Sequence, residues 1–228
     1  MENVYIFADV ETSGLSSKTD RVVSIAASCK GQEFSALVDP QRRIPRAASA
    51  VHGLRDEHVR GQPTWAEVGP RFWAWVAAQA AGGRAVLVAH NGTFDRRMVC
   101  AEDSRLPQPP PRPPGLRLVD TLRVARRALP TLKSHRQCVV YEHLFGEQPE
   151  GQHDSLGDVR ALARICEHPL FVGALARHAV AFDDVAVPKT TDRSVAVEPL
   201  ASGVPCLRCE RCSRVYSTHF RHECPPSI

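Results

Sequence analysis

The 228-residue chain is 43% hydrophobic and 24% charged, an ordinary globular balance with length for one or two domains, which excludes a wholly disordered polymer. Lys and Arg total 29 against 25 Asp and Glu, and the resulting charge of +4 permits a polyanionic partner without demanding one. Only four of the basic residues are lysines, Lys18, Lys30, Lys133 and Lys189. Arginine suits bidentate phosphate contact, although a compositional bias toward Arg, Ala and Pro explains the excess equally well. No stretch reaches the roughly 18 uncharged apolar residues of a bilayer span, and the opening Met1-Glu2-Asn3-Val4-Tyr5 lacks a basic n-region. A soluble intracellular protein, cytoplasmic or nuclear, with no membrane partner is expected. Four cysteines are scattered singly (Cys29, Cys100, Cys138, Cys166) and four fall in the last 23 residues, which favours reduced core thiols plus a local metal site over a disulfide framework.

In chain order, residues 4–10, 21–27 and 33–38 are short apolar runs rich in β-branched residues and separated by turn signals, and they predict three antiparallel strands. Residues 63–81 space Trp65, Val68, Phe72, Trp75 and Val76 mostly three and four apart, predicting an amphipathic helix ended by Gly82-Gly83. Residues 85–89 read as a buried strand and residues 94–103 as the helix after it. The prolines of residues 106–115 (LPQPPPRPPG) lack amide donors and predict an exposed polyproline-like loop, either a stiff spacer or an SH3-type ligand. An edge strand at 116–119 and helices at 121–128, 134–145, 154–167 and 169–182 complete a mixed α/β sheet with helices on its faces. Residues 183–205 lose all periodicity and read as a flexible linker.

Three clusters carry chemistry. Asp9 and Glu11 stand two apart on a strand, so both side chains point to one side of the sheet. Taken alone, an Asp-x-Glu pair is as well explained by a solvated strand end. In His90-Asn91-Gly92-Thr93-Phe94-Asp95, Asp95 falls in the first turn of a helix that Thr93 is expected to cap, and the helix dipole alone favours an acid there. His153-Asp154-Ser155-Leu156-Gly157-Asp158 opens another helix. On one unbroken helix His153 and Asp158 would diverge by about 140°, so His153 is expected before the helix start, with Asp154 or Ser155 as the cap.

FADVETSGL, VAHNGTFDRRM and HDSLGDVRAL resemble, in order, the three motifs of the DnaQ-like (DEDDh) 3′-to-5′ exonucleases, and VHGL at residues 51–54 is similar to a segment found between the first two. The resemblance spans about residues 3–182. It implies an RNase H-like fold, two divalent ions (Mg²⁺ or Mn²⁺), and catalytic positions Asp9, Glu11, Asp95, His153 and Asp158. The four acids are the implied metal ligands and His153 the implied general base. Thr12, Asn91 and Phe94 are the implied substrate-binding positions. Lys133, His135 and Arg136 replace the leucine-rich opening usual before the third motif, and both a substrate-backbone track and a solvated helix face fit them.

Cys206-Leu207-Arg208-Cys209-Glu210-Arg211-Cys212 is followed by His219, His222 and Cys224. So short a segment has no core of its own, and four N/S ligands around zinc would hold it together. The favoured set is Cys209, Cys212, His222 and Cys224, with Cys206 and His219 as replacements, in a zinc-knuckle-like module at 206–228. The domains expected are therefore an exonuclease domain at 1–182, a linker at 183–205 and this module.

The leading function is metal-dependent 3′-to-5′ exonucleolytic release of nucleoside 5′-monophosphates from DNA or RNA ends. An RNA-trimming, oligoribonuclease-like enzyme and a non-catalytic nucleic-acid-binding adaptor are the alternatives. A protein partner is expected, if anywhere, at the C-terminal module or the proline-rich loop.

Overall fold

In the computed structural model the chain begins with β1 (Asn3–Thr12), whose residues alternate between half-buried and buried along its whole length. β1 pairs antiparallel with β2 (Val22–Cys29), which pairs antiparallel with β3 (Gln32–Leu37), as the three apolar runs predict. On its other side β1 runs parallel to β4 (Arg84–Ala89), and β4 runs parallel to β5 (Arg117–Asp120). The two-residue β6 (Val180–Ala181) pairs antiparallel with β5, giving the order β3-β2-β1-β4-β5-β6. β5 is therefore not the edge strand that the sequence predicts. The last turn of the expected 169–182 helix becomes β6, because α8 (Pro169–His178) stops and the chain turns back onto the sheet.

The structure describes residues 1–151 and 154–183 and, beyond them, the backbone of β7 (Ser194–Val197), β8 (Cys206–Cys209) and β9 (Val215–Ser217). These three form a separate antiparallel sheet within a second unit, Ala186–Ile228, distinct from Met1–Val185. β7 falls inside the segment expected to be an irregular linker. Its Ser-Val-Ala-Val alternation finds a partner strand in β8, a pairing that local composition does not announce. The side chains of Cys209, Cys212, His222 and Cys224, the favoured zinc ligands, lie outside the described residues, as does His153.

The helices cover both sheet faces. Between β3 and β4 come α1 (Arg46–His52), α2 (Asp56–Val59) and α3 (Trp65–Gln79). The first two are too short to show a periodicity and were not expected. α3 starts with a capping box in which the Thr64 amide donates to Glu67 Oε2 at 2.9 Å. α4 (Gly92–Ser104) joins β4 to β5, and α5 (Thr121–Ala128), α6 (Gln137–Phe145), α7 (Ser155–Glu167) and α8 follow. Val4, Ile6, Ala8 and Val10 pack against Trp65, Phe72, Trp73, Val76 and Met98 on one face. Val86, Val88 and Val119 pack against Val124, Leu162, Ile165 and Phe171 on the other. The result is a three-layer α/β/α arrangement, the mixed sheet flanked by helices that the pattern predicts.

The proline-rich segment departs from expectation. Pro110 and Pro113 are buried, three residues apart, which is one turn of a polyproline helix. Between them Arg112 donates to Asp103 Oδ2 at 3.0 Å, pairs with Asp183 at 3.2 Å and lies over the rings of Trp73 and Phe182. One face of the segment is thus fixed to the domain rather than exposed all round. Asp103 also accepts from the indole N–H of Trp65 (2.9 Å) and of Trp73 (3.0 Å), so one buried carboxylate ties α3, α4 and this segment together.

Candidate active site

The parallel strands bring their C-terminal ends to one edge of the sheet. Asp9 and Glu11 lie on the same face of β1 as Tyr5 and Phe7, which pack among the helices following β5. The β1–β2 register runs Asp9↔Ala26 and Glu11↔Ser24, then shifts between Glu11 and Thr12. That irregularity re-aims the strand end. Thr12 is buried, and its hydroxyl donates to the Gly14 carbonyl at 2.7 Å. Its own carbonyl lies 3.3 Å from His52 Nε2, while His52 Nδ1 accepts from the Leu54 amide at 3.1 Å. A carbonyl only accepts, so the pair of contacts fixes His52 with its proton on Nε2. The VHGL segment therefore braces Thr12 from behind.

α7 delivers Asp158. Asp154 caps this helix, accepting from the Gly157 amide at 3.3 Å, and Ser155 turns to the buried Ser24 hydroxyl of β2 at 2.7 Å. Gly157 sits so close to the preceding loop that a Cβ there would fall 2.3 Å from the Gly151 carbonyl oxygen. These three contacts place the first turn of α7 over β1. Asp9, Glu11 and Asp158 then each offer a carboxylate oxygen, all within 4.8 Å of one another.

Asp95, in the first turn of α4, reaches the same edge from the neighbouring strand. Parallel pairing of β1 with β4 ends at Phe7↔Val88, and beyond it the Val10 amide donates to Asp95 Oδ1 at 3.3 Å. Thr93 does not cap α4 as predicted. The N-cap is Asn91, in the left-handed region with φ 67°, and its amide donates to Asp120 Oδ1 at 3.0 Å. Thr93 is buried with its hydroxyl 3.5 Å from Asp120 Oδ2. Phe94 is half-buried beside the Arg97 guanidinium.

Burial is the first cause that holds the Asp9 carboxyl well above the usual carboxylate range, followed by the charges of Asp95, Glu11, Asp158 and Asp154. Burial again leads for Glu11, with Asp158, Asp95 and Asp154 adding to it, and pushes that carboxyl up to about 8. Neither acid has an ion-pair partner among the described residues. Two buried carboxylates held this close to further acids favour protons or a bound metal ion to balance their charge. The all-oxygen donor set fits hard ions such as Mg²⁺ or Mn²⁺ and not soft ones.

Sequence reasoning missed several residues around this cluster. Gln137, the first residue of α6, donates from Nε2 to the Asp158 carbonyl at 2.7 Å and lies 3.4 Å from Asp158 Oδ1. His90 Nδ1 lies 3.0 Å from Thr121 Oγ1, and His90 Nε2 lies 2.7 Å from the His135 carbonyl oxygen. His135 itself turns inward, with Nε2 2.8 Å from the Leu129 carbonyl oxygen. No local pattern marks these roles, since each partner is more than 20 residues away except for His135.

With this geometry in hand, comparison with known proteins is decisive for ancestry. The Exonuclease (RNase_T) family matches residues 6–166, most of the described domain. The chain belongs to that family. The exonuclease domain is 34% identical over 169 residues to the DNA polymerase III PolC-type of Clostridium perfringens, covering 72% of this chain and 11% of that protein. It is 32% identical over 168 residues to a DNA polymerase III subunit epsilon-like protein of Rhodobacter capsulatus, covering 70% of this chain and 22% of the relative. The chain thus spans a small part of these relatives. Among solved structures, exonuclease X in complex with 5′-overhanging duplex DNA is 28% identical with a TM-score of 0.50, over 71% of this chain and 89% of that one. Exonuclease I shares the fold, with a TM-score of 0.61 at 18% identity, over 77% of this chain and 44% of that one. The expected DnaQ-like, RNase H-like membership holds. Among the described residues no helix is long and apolar enough to cross a membrane.

Proposed function

We propose that the exonuclease domain removes nucleotides one at a time from the 3′ end of DNA, in a divalent-metal-dependent hydrolysis that releases nucleoside 5′-monophosphates. The observation that carries this reading is the meeting of Asp9, Glu11 and Asp158 within 4.8 Å. Asp9, Glu11 and Asp158 would hold one divalent ion, and Asp9 with Asp95 a second. When bound, such a pair supplies Lewis-acid stabilisation for the charge that grows on the phosphate during in-line displacement. His153 is the general base of this reading, and its imidazole would accept the proton of the attacking water. Thr12, Asn91 and Phe94 position the terminal nucleotide, Thr12 through a strand end that His52 holds in place.

DNA is preferred to RNA because exonuclease X binds a DNA duplex and the polymerase relatives are DNA polymerases by name. Cys209, Cys212, His222 and Cys224 are proposed separately as a zinc site, on their spacing and donor type.

The test uses the full chain with 5′-labelled and 3′-labelled DNA and RNA oligonucleotides in Mg²⁺, Mn²⁺ or EDTA. A ladder of products shortened from the 3′ end in metal and abolished by EDTA is the expected result, and Asp158→Ala abolishes it while the thermal transition persists. Intact 3′ ends under every metal condition refute the assignment. RNA shortened in preference to DNA overturns the substrate choice. Zinc content of the purified protein, measured before and after substituting Cys209 and Cys212 with Ala, tests the separate metal site.

A further inference from the structure

One imidazole ties two basic segments to the rim of the carboxylate cluster. His90 follows β4 directly, and its two ring nitrogens reach Thr121, the first residue of α5, and the carbonyl of His135 in the segment before α6. On the far side of that segment Gln137 bonds to Asp158. Residues 133–136 therefore lie between the end of β4 and Asp158 on α7, beside the carboxylate cluster. His135 turns inward to Leu129, which leaves its neighbours Lys133 and Arg136 on the outside, both exposed. Neither forms an ion pair among the described residues. Arg123, two residues beyond Thr121, is exposed as well and comes no nearer than 3.9 Å to Asp120.

A solvated face of a stable domain ordinarily intersperses charges of both signs. Here three exposed cations lie on segments tethered to the end of β4 and, through Gln137, to Asp158, an arrangement that suits a polyanion with its reacting end among the acids. The acids alone repel a phosphodiester chain beyond the reacting group, and basic side chains at the rim offset that repulsion while reading no sequence. Anchoring through main-chain and buried groups gives the segment a fixed position, which a backbone contact needs if it is to hold register.

We infer that Arg123, Lys133 and Arg136 form a phosphate rail that holds the nucleic-acid strand 5′ of the scissile linkage as it leaves the carboxylate cluster. The inference rests on the proposed nuclease reading, because it takes the reacting end to lie among the acids. Contacts of this kind act on substrate affinity and its salt dependence, and they leave the chemical step to the acids.

The experiment measures anisotropy of a fluorescein-labelled single-stranded DNA oligonucleotide in EDTA, so that no turnover occurs, over a series of salt concentrations. Lys133→Gln combined with Arg136→Gln is expected to weaken binding about tenfold at low salt and to flatten the slope of log K against log salt by about 1.4, two phosphate contacts on a single strand. Lys133→Arg restores its share of the slope. Arg71→Gln, an exposed arginine on the α3 side of the sheet, binds as wild type. A parallel assay in Mg²⁺ expects a higher KM with kcat little changed for the double variant. An unchanged slope in that variant, or an equal loss in Arg71→Gln, assigns Lys133 and Arg136 to a solvated surface and overturns the rail. Failure of the wild-type chain to cleave, with the slope change intact, refutes the nuclease reading and with it the placement of the rail 5′ of a scissile linkage, whereas cleavage with an unchanged slope overturns the rail alone.

Discussion

Removing the charge of Glu11 tests the electrostatics of the site without relying on turnover. Its carboxyl is carried from an ordinary 4.5 up to about 8 by burial and by Asp158, Asp95 and Asp154. A raised carboxyl means that the native state binds the proton more tightly than the unfolded chain, so metal-free stability falls as pH rises from 4.5 through about 8. The native-state penalty is absent below the unfolded value and fully present above the folded one. Because Glu11 keeps some contact with water, its contribution between pH 5 and 8 is roughly 3 kcal/mol after discounting for screening. Urea unfolding in EDTA at a series of pH values, for wild type and Glu11→Gln, reads this amount together with the relief that loss of the Glu11 charge gives to Asp9. The variant is expected to be more stable than wild type at pH 8 by roughly that margin, and the two are expected to converge near pH 5. Added Mg²⁺ is expected to close the gap at pH 8 by stabilising the wild type. Parallel pH profiles for the two proteins would refute the assignment of Glu11 to a crowded, partly desolvated acidic cluster.

Two further predictions concern what holds the site in place. Asp103→Ala leaves two buried indole N–H groups and the Arg112 guanidinium without their acceptor, and a loss of about 3–5 kcal/mol in urea unfolding is expected; a loss below about 1 kcal/mol would mean water replaces the carboxylate. Ser155→Ala orphans the buried Ser24 hydroxyl and is expected to cost about 1–3 kcal/mol, whereas the double change Ser24→Ala with Ser155→Ala costs less than the sum of the singles; simple additivity in that cycle would remove the hydroxyl pair as the latch between β2 and α7.

Much of the domain is written locally. Alternation along residues 3–12 sets β1 and puts Asp9 and Glu11 on one face, and Asp154 four residues before Asp158 marks where α7 begins. The three motifs therefore identified the acids and their order. Other features had no local signature. α1 and α2 are too short for a period to register, and β5 reads as an edge because its partner β6 is only two residues long. The prolines at 110 and 113 look like solvent-exposed spacers until Arg112 is seen between Asp103 and Asp183. Glu102 and Asp103, neighbouring acids in a helix, would ordinarily face water, yet each is 1% exposed. Glu102 is held there by Arg21 and by the Val22 amide, both some 80 residues earlier in the chain.

The sequence by itself determined the longer elements, the sheet's mixed character and the identity of the acids, because periodicity and turns depend on neighbours within a few positions. Tertiary structure alone decided that Asp158 closes to within 4.8 Å of Asp9 and Glu11, that Asp95 takes the Val10 amide where β4 pairing ends, and that Gln137 bonds to Asp158. Those contacts join residues separated by about 20 to 150 positions. They exist only once packing of two helical layers on one twisted sheet has fixed every strand end in space.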